Sequence, residues 1–207
     1  MKLPIIEPMK LSRVAAAFDH ADFLFELKHD GFRCRTYIAN GRCSLVSPRT
    51  NYHQRFDSLK TALAKLNAKT AILDGELVCL DDVGKSRFNL LLRRRAEPVF
   101  YAFDLLWLNG KDFRGLPLVQ RKIRLRRLIE TSDCERIIYT QHIEMRGCVL
   151  YQAICKKDLE GIICKRKDGV YSVSGQWLKV LNPNYTQHED RREIFTALQS
   201  RAGRVST

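Results

Sequence analysis

The sequence predicts one mixed α/β domain, and three observations support that fold class. Short apolar or alternating segments with the length of strands recur along the chain. Another segment repeats apolar residues every three or four positions, which is the period of a helix packed on a sheet. The chain has 207 residues, which is long enough to bury a core of its own, and it contains no internal repeat. We expect the domain at residues 1–183 and a polar tail or short helix at 184–207.

The first strands are predicted on either side of Lys28. Phe23 to Leu27 and Cys34 to Ala39 are rich in apolar residues, as strands that face a core are. Asn40-Gly41 is typical of a two-residue hairpin turn, because both residues tolerate a positive φ. A third strand is therefore predicted at Ser44 to Ser47.

Two helices are predicted, the first of them from helical spacing. The first packs one face on a sheet through four residues at steps of three or four, namely Phe56, Leu59, Leu63 and Leu66. The second covers Leu118 to Glu130, with an apolar set of Ile123, Leu128 and Ile129. Its basic residues are predicted to form a solvated face made of Arg121, Lys122, Arg124, Arg126 and Arg127.

The remaining strands are short apolar runs, and a last helix is predicted near the carboxyl end. The runs are Ala71 to Leu80, Val99 to Leu106, Ile137 to Tyr139, Gly161 to Lys165 and Trp177 to Leu181. A short helix is expected around Glu193 to Gln199, and the residues from Arg201 to Thr207 are expected to fray.

The richest chemistry is around Lys28, in Glu26-Leu27-Lys28-His29-Asp30-Gly31-Phe32-Arg33. A lysine amine attacks phosphorus only when it is deprotonated, and nearby cations or a metal ion favour that state. Gly31, without a Cβ atom, is expected to let a nucleotide approach the backbone. The pattern K-x-D-G therefore predicts covalent capture of a nucleotide, although three fixed letters alone are weak evidence.

Further motifs follow Lys28 in a fixed order along the chain. They are Ser47-Pro48-Arg49, Asp74-Gly75-Glu76-Leu77-Val78, Phe100-Tyr101-Ala102-Phe103-Asp104-Leu105-Leu106, Glu160-Gly161-Ile162-Ile163-Cys164-Lys165 and Trp177-Leu178-Lys179-Val180. Together they resemble the adenylation domain of ATP-dependent DNA ligases, within the covalent nucleotidyltransferase superfamily. The resemblance implies two largely antiparallel sheets with flanking helices and a nucleotide cleft between the sheets.

The resemblance implies that Lys28 is the nucleophile, which attacks the α-phosphate of ATP and carries AMP. Glu76 and Glu160 each adjoin a glycine at the edge of an apolar strand, a placement that turns a carboxylate toward a cavity. Two such carboxylates can hold Mg²⁺, which neutralises charge during phosphoryl transfer. By resemblance, Glu76 also contacts the ribose.

Other nucleotide contacts are implied by the same resemblance. Phe103 matches the aromatic residue on which adenine stacks, although a phenylalanine in this run is also a reasonable core residue. Glu26 and the backbone near Leu27 would lie beside the base. The cations implied at phosphates are Arg33 and Arg49, which contact the nucleotide or the 5′-phosphate of a nick in DNA, and Lys165 and Lys179, which contact the α-phosphate.

Two features depart from the family pattern. The last motif usually ends in a second lysine, and here that position is Leu181. Ligases of this family also continue into an OB-fold domain that orients pyrophosphate, and these 207 residues have no room for one. We therefore expect self-adenylation to be impaired more than nick sealing, unless a separate protein supplies an OB-fold or binds the DNA end.

Composition agrees with a polyanionic partner. The formal net charge is +13, which favours nucleic acid over a membrane surface. No apolar run has the roughly twenty residues of a membrane span, and no secretory signal is evident, so we expect an intracellular, cytoplasmic monomer, with the nucleus also open. The seven cysteines lack zinc-ligand spacing, and Cys34, Cys79 and Cys164 are predicted to be buried hydrophobic residues.

Three functions remain open at this point. The first is a DNA ligase or ligase adenylation subunit, acting in DNA repair on nicked duplex DNA with ATP and Mg²⁺. The second is a DNA-end-binding module with weak catalysis, and the third is an RNA ligase or a capping-type nucleotidyltransferase. Lys28, Glu76 and Glu160 argue against the second, and the block from Phe103 to Leu118 argues against the third.

Overall fold

The fold consists of two sheets packed face to face, with helices on their outer surfaces. It was obtained as a computed structural model, which describes residues 3–47, 56–93 and 96–187. The strands are β1 (Lys10–Arg13), β2 (His20–Leu27), β3 (Phe32–Ala39), β4 (Arg42–Val46), β5 (Thr70–Val78), β6 (Val99–Leu108), β7 (Lys111–Asp112), β8 (Ile137–Tyr139), β9 (His142–Met145), β10 (Gly161–Arg166) and β11 (Gln176–Leu181). The helices are α1 (Asp57–Leu63), α2 (Phe88–Arg93), α3 (Leu118–Glu130) and α4 (Gly147–Lys156).

The two sheets are largely antiparallel, as predicted. The first sheet has the order β1-β11-β10-β2-β9, and only the β1–β11 pair within it is parallel. The second sheet has the order β4-β3-β5-β6-β7, with β8 added in parallel to β6. Asn40 and Gly41 have φ values of 52° and 68°, which confirms the predicted hairpin turn between β3 and β4.

Three apolar clusters hold these layers together. One lies between the second sheet and helices α1 and α3, and includes Leu59, Leu63 and Leu125. Another joins the two sheets, where Ile72 and Leu106 of the second meet Ile163 and Trp177 of the first. The last packs α4 against the first sheet, with Phe25, Ile154 and Val180. The predicted burial of Cys34, Cys79 and Cys164 is confirmed.

The second predicted helix has the predicted bounds, but its faces were assigned wrongly. Arg121 and Lys122 are buried, with exposed fractions of 0% and 2%, whereas Ile123 is 68% exposed. The cause is ion pairing, since Arg121 pairs with Asp104 and Lys122 pairs with Glu26, and a buried charge is tolerated when it is paired and hydrogen-bonded.

Several elements were not predicted, namely β1, β7, β9, α2 and α4. None of the described helices has the length and apolar character needed to cross a membrane. Within the segment predicted as a polar tail or short helix, Tyr185 and Gln187 are buried. The helix predicted around Glu193 to Gln199 and the frayed end from Arg201 lie outside the described residues.

Candidate active site

A pocket opens between the two sheets, and residues from both of them line it. The first sheet contributes Leu11, Glu26, Leu27, Ile163, Lys165 and Trp177. The second contributes Arg33, Glu76 and Phe103. Lys28 and His29, in the turn between β2 and β3, complete the lining. Most of the predicted site residues therefore meet in one place.

Lys28 is held in this pocket by strand pairing. Leu27 lies opposite Ile162 in the β2–β10 ladder, and the Lys28 amide donates to the Gly161 carbonyl at 2.9 Å. The Lys28 Nζ atom then lies 2.6 Å from Oε1 of Glu160. The predicted nucleophile and one predicted metal ligand are thus in direct contact.

Glycines in these motifs are required by backbone packing. A Cβ atom on Gly31 would lie 2.1 Å from the Leu77 carbonyl oxygen, and one on Gly161 would lie 2.1 Å from the Val180 carbonyl oxygen. The close approach at Gly31 is therefore made by strand β5. The expected approach of a nucleotide to the Gly31 backbone stays a prediction, since packing of the turn against β5 already requires glycine here.

The two acidic residues fit a magnesium ion in chemistry and placement. Burial raises the pKa of Glu76 to about 8, and the nearby Glu160 carboxylate adds to the rise although Lys28 opposes it. Carboxylate oxygens are the hard ligands that Mg²⁺ prefers, and a cation between these two acids would relieve their mutual repulsion. Glu76 and Glu160 would therefore hold the ion on the Lys28 side of the pocket.

Glu26 lies between two buried lysines. Its Oε1 atom is 2.5 Å from Lys122 Nζ and its Oε2 atom is 2.6 Å from Lys165 Nζ. Burial opposes ionisation, but the two ammonium groups outweigh it and lower the pKa of Glu26. Glu26 is therefore an ionised acceptor with both oxygens engaged.

The Lys165 ammonium group is buried between two aromatic rings. Its Nζ atom lies 4.3 Å from the centre of the Phe103 ring and 4.0 Å from that of Trp177. Burial lowers the pKa of Lys165 to about 8, although Glu26 opposes the shift. In this structure Lys165 is paired with Glu26, so a phosphate would have to compete for it.

Arg33 is also fixed before any ligand binds. Its guanidinium makes two hydrogen bonds to Asp74, at 2.7 and 3.2 Å, and donates to the Met9 carbonyl at 2.6 Å. The Cζ atom of Arg33 lies 5.0 Å from the centre of the Trp177 ring. Arg33 therefore presents a preset positive charge at the pocket wall.

Two predicted residues in the described ranges, Glu160 and Lys179, do not line the pocket. Lys179 lies opposite Ile163 in the β10–β11 ladder, so its side chain is on the face of the sheet that carries the pocket, although it is not part of the lining. Arg49 lies outside the described residues, and its predicted role stays a prediction.

Comparison with known proteins identifies the family. Residues 6–180 match the model of the ATP dependent DNA ligase domain, which covers most of the chain. The chain belongs to the ATP-dependent DNA ligase family. The family resemblance of the sequence motifs and the predicted fold are thereby confirmed, and the enzymes of this family are nucleotidyltransferases.

Several ligases resemble this domain in sequence. The multifunctional non-homologous end joining protein LigD of Pseudomonas aeruginosa is 33% identical over 167 residues, which cover 77% of this chain and 20% of that protein. The SPbeta prophage-derived DNA ligase-like protein LigB of Bacillus subtilis is 26% identical, covering 88% of this chain and 69% of that protein.

Solved structures agree with the family assignment. The ligase domain of LigD from M. tuberculosis has a TM-score of 0.73 at 28% identity, covering 83% of this chain and 58% of that one. A mycobacterial DNA ligase D complexed with ATP and MES also has a TM-score of 0.73, at 26% identity, covering 84% and 59%. The chain thus spans a fifth of the Pseudomonas protein and less than two thirds of either solved chain.

Four pocket residues of this ligase domain were missed by the sequence reasoning, namely Leu11, His29, Ile163 and Trp177. Ile163 faces the pocket from the strand that carries Lys165, and Trp177 was part of a quoted motif but was given no role. His29 stacks on Tyr101 with ring centres 3.9 Å apart, and its Nδ1 atom has no hydrogen-bond partner among the described residues. Burial lowers the pKa of His29 to about 4, so the imidazole is neutral at pH 7. Strand alternation from Lys165 and Lys179 would have pointed to Ile163 and Trp177.

Proposed function

We propose that this ligase domain carries AMP on Lys28 and uses it to seal nicks in duplex DNA. The observation that supports the proposal best is the arrangement of Lys28, Glu76 and Glu160: Lys28 and Glu76 line the same pocket, and the Lys28 Nζ atom contacts Glu160. These residues come from distant parts of the chain, and their juxtaposition is what nucleotidyl transfer to a lysine requires.

In the first step the neutral Lys28 amine attacks the α-phosphorus of ATP. The bond from the α-phosphorus to the bridging oxygen breaks, pyrophosphate leaves, and AMP stays on Nζ through a P–N bond. Glu160 keeps the Nζ atom in the pocket before ATP arrives, while Phe103 and Ile163 offer apolar surface to the base. A bound Mg²⁺ ion would neutralise charge on the phosphates.

In the later steps AMP moves to the DNA and is then released. The 5′-phosphate at the nick attacks the AMP phosphorus and displaces Lys28, which gives an adenylated 5′ end. The 3′-hydroxyl then attacks the 5′-phosphorus, joins the strand and releases AMP. Arg33, fixed by Asp74, is a preorganised contact for one of these phosphates.

DNA is proposed as the partner because the chain is strongly basic and because it is similar to DNA ligases. A formal net charge of +13 favours a polyanion. The similarity to a non-homologous end joining protein extends the proposal to DNA repair inside the cell. Affinity for nicked duplex DNA should fall steeply with salt, and Arg49→Ala should weaken binding to a 5′-phosphorylated nick more than binding to intact duplex. Binding that does not depend on salt would refute the DNA proposal.

The decisive experiment is detection of the covalent intermediate. After incubation with ATP and Mg²⁺, mass spectrometry should find an AMP adduct on a peptide that contains Lys28. Lys28→Arg, which keeps the charge, should abolish the adduct, whereas Lys167→Ala, at a lysine paired with Glu144 on the surface, should keep it. An adduct that survives in Lys28→Arg would refute the assignment, and one formed from GTP alone would favour a capping-type enzyme.

A further inference from the structure

The segment that follows β11 contacts the two turns that carry Lys28 and Glu160. We call residues 182–187 the bracing segment. One of the two turns carries Lys28, Asp30 and Gly31 after β2, and the other carries Asp158 and Glu160 before β10. The bracing segment does not line the nucleotide pocket, so ligand contacts do not account for these interactions.

Tyr185 is the contact to the lysine turn. Its hydroxyl donates a hydrogen bond to Oδ2 of Asp30 at 2.9 Å, across 155 residues of sequence. Both residues are buried, with exposed fractions of 7% and 3%. A hydrogen bond to a buried carboxylate is stronger than one between neutral groups, so it is well suited to fixing the turn that carries Lys28.

Asn182 and Thr186 are the contacts to the acidic turn. The Asn182 amide donates to the Glu160 carbonyl at 2.9 Å, and its Nδ2 atom donates to the Leu159 carbonyl at 3.0 Å. Thr186 donates to both carboxylate oxygens of Asp158, through its backbone amide at 2.9 Å and its Oγ1 atom at 2.7 Å. The backbone of Glu160 is therefore held by the same segment that holds Asp30.

We propose that Tyr185 is a positioning residue, which aligns Lys28 with Glu160 by fixing the Lys28 turn on the bracing segment. The inference deepens the proposed function and rests on it, because alignment matters only if Lys28 is the nucleophile. Tyr185 itself does not line the pocket. It acts through Asp30, two residues after the nucleophile.

The test removes only the hydroxyl group of Tyr185. In Tyr185→Phe, the rate of Lys28 adenylation at saturating ATP should fall by about tenfold to a hundredfold, the range expected for a small misplacement of a nucleophile. The KM for ATP should change by less than about twofold, because the pocket lining is intact. Tyr151→Phe is the matched control, since Tyr151 also donates one hydrogen bond, to the Leu181 carbonyl at 2.9 Å. It should leave the rate and the KM unchanged.

Hydrogen exchange separates this inference from the proposed function. In Tyr185→Phe, amides in residues 28–31 and 158–161 should exchange faster than in the wild type, whereas Tyr151→Phe should not change them. If the wild type forms no adduct, the proposed function fails, and the exchange rates still decide whether Tyr185 braces the turns. If Tyr185→Phe does not fold, Thr186→Val tests the second contact with the same two measurements. Equal adenylation rates in Tyr185→Phe and Tyr151→Phe, or unchanged exchange in both turns, would overturn the proposal.

Discussion

The Nζ atom of Lys28 and the Oε1 atom of Glu160 lie 2.6 Å apart, although 132 residues separate them in the sequence. Lys28 follows β2 and Glu160 precedes β10, and these strands are antiparallel neighbours. The register of the ladder, with Leu27 opposite Ile162, therefore sets the contact. A slip by one residue would move the side chains of one strand to the other face of the sheet and separate the pair.

The first prediction concerns this ion pair. Glu160→Gln removes the negative charge beside Lys28 but keeps the shape of the side chain. The rate of adduct formation should fall by about a hundredfold, which is typical for the loss of one electrostatic contact at a reacting phosphate. Single-turnover labelling with radioactive ATP measures this rate.

Glu144→Gln is the matched control for that experiment. Glu144 also pairs with a lysine, Lys167, but its side chain is 54% exposed and lies outside the pocket. The control should label at the wild-type rate. A Glu160→Gln protein that labels as fast as the control would show that the ion pair has no part in the reaction.

The raised pKa of Glu76 predicts a pH dependence of stability. Between its ordinary value of 4.5 and about 8, the folded protein keeps a proton that the unfolded chain has lost. The free energy of unfolding should therefore fall as pH rises through this window, by up to about 1.4 kcal/mol per pH unit from this group. Glu76→Gln should remove that contribution.

The measurement is urea unfolding at several pH values with a chelator present. The stability of the wild type relative to Glu76→Gln should decrease from about pH 5 to pH 8 and then level off. Glu135→Gln, at an exposed acid, should follow the wild type. Parallel curves for the wild type and Glu76→Gln would contradict the raised pKa.

The faces of α3 show where the sequence was insufficient. Helical spacing from Leu118, Leu125 and Leu128 places positions 121 and 122 on the buried side, so periodicity alone pointed to the core. Residue type pointed the other way, because lysine and arginine are rarely buried without a partner. The partners, Asp104 and Glu26, are on other elements, and only the tertiary fold brings them together. The strands were easier, because their apolar runs do not depend on distant partners.

The third prediction tests the buried side of α3. Lys122→Met leaves one oxygen of the buried Glu26 carboxylate without its lysine, which should lower the free energy of unfolding by about 3–5 kcal/mol. Lys122→Arg, which keeps the charge, should cost less. Chemical denaturation followed by circular dichroism measures both changes.

A control on the same helix makes that result specific. Arg127 is exposed, so Arg127→Met should change stability by no more than about 0.5 kcal/mol. In a double-mutant cycle with Glu26→Gln, the Lys122→Met change should be strongly non-additive. Equal effects of Lys122→Met and Arg127→Met would mean that the Lys122 pair does not stabilise the fold.

Individual pocket residues could be predicted from the sequence only where the family pattern assigns them a role. Lys28, Glu76 and Phe103 were assigned because the family pattern gives each a task, and all three line the pocket. His29 and Trp177 lay in the same motifs, but their side chains reach the pocket because the two sheets pack face to face. That packing depends on long-range contacts, which one sequence does not specify.

The fourth prediction uses the position of Trp177. The chain has two tryptophans, and Trp107 is outside the pocket, so Trp107→Phe leaves a single reporter at the nucleotide site. Adding ATP should change the fluorescence of this variant in a saturable way, because Lys165 lies 4.0 Å from the Trp177 ring and would respond to the phosphates. The complementary variant, Trp177→Phe with Trp107 retained, should show little change. A larger change in the complementary variant would place the nucleotide elsewhere.

The last prediction concerns Leu181. This residue lies two positions after Lys179 on β11 and opposite Gly161, so its side chain is on the same face as Lys179. A lysine here would add a positive charge beside the Lys28–Glu160 pair, near the phosphates of ATP in the proposed reaction. Leu181→Lys should therefore speed adenylation by ATP by several-fold, the size expected for one added charge contact of about 1 kcal/mol. Sealing of a nick that already bears AMP releases no pyrophosphate, so its rate should change less.

Leu181→Met controls for the change in shape at this position, and it should alter neither rate. The two rates are measured with radioactive ATP and with a synthetic pre-adenylated nick under the same conditions. If Leu181→Lys accelerates both steps equally, the new charge acts on DNA binding in general. If it accelerates neither, position 181 is too far from the phosphates to contact them, and the proposed placement of ATP beside Glu160 must be revised.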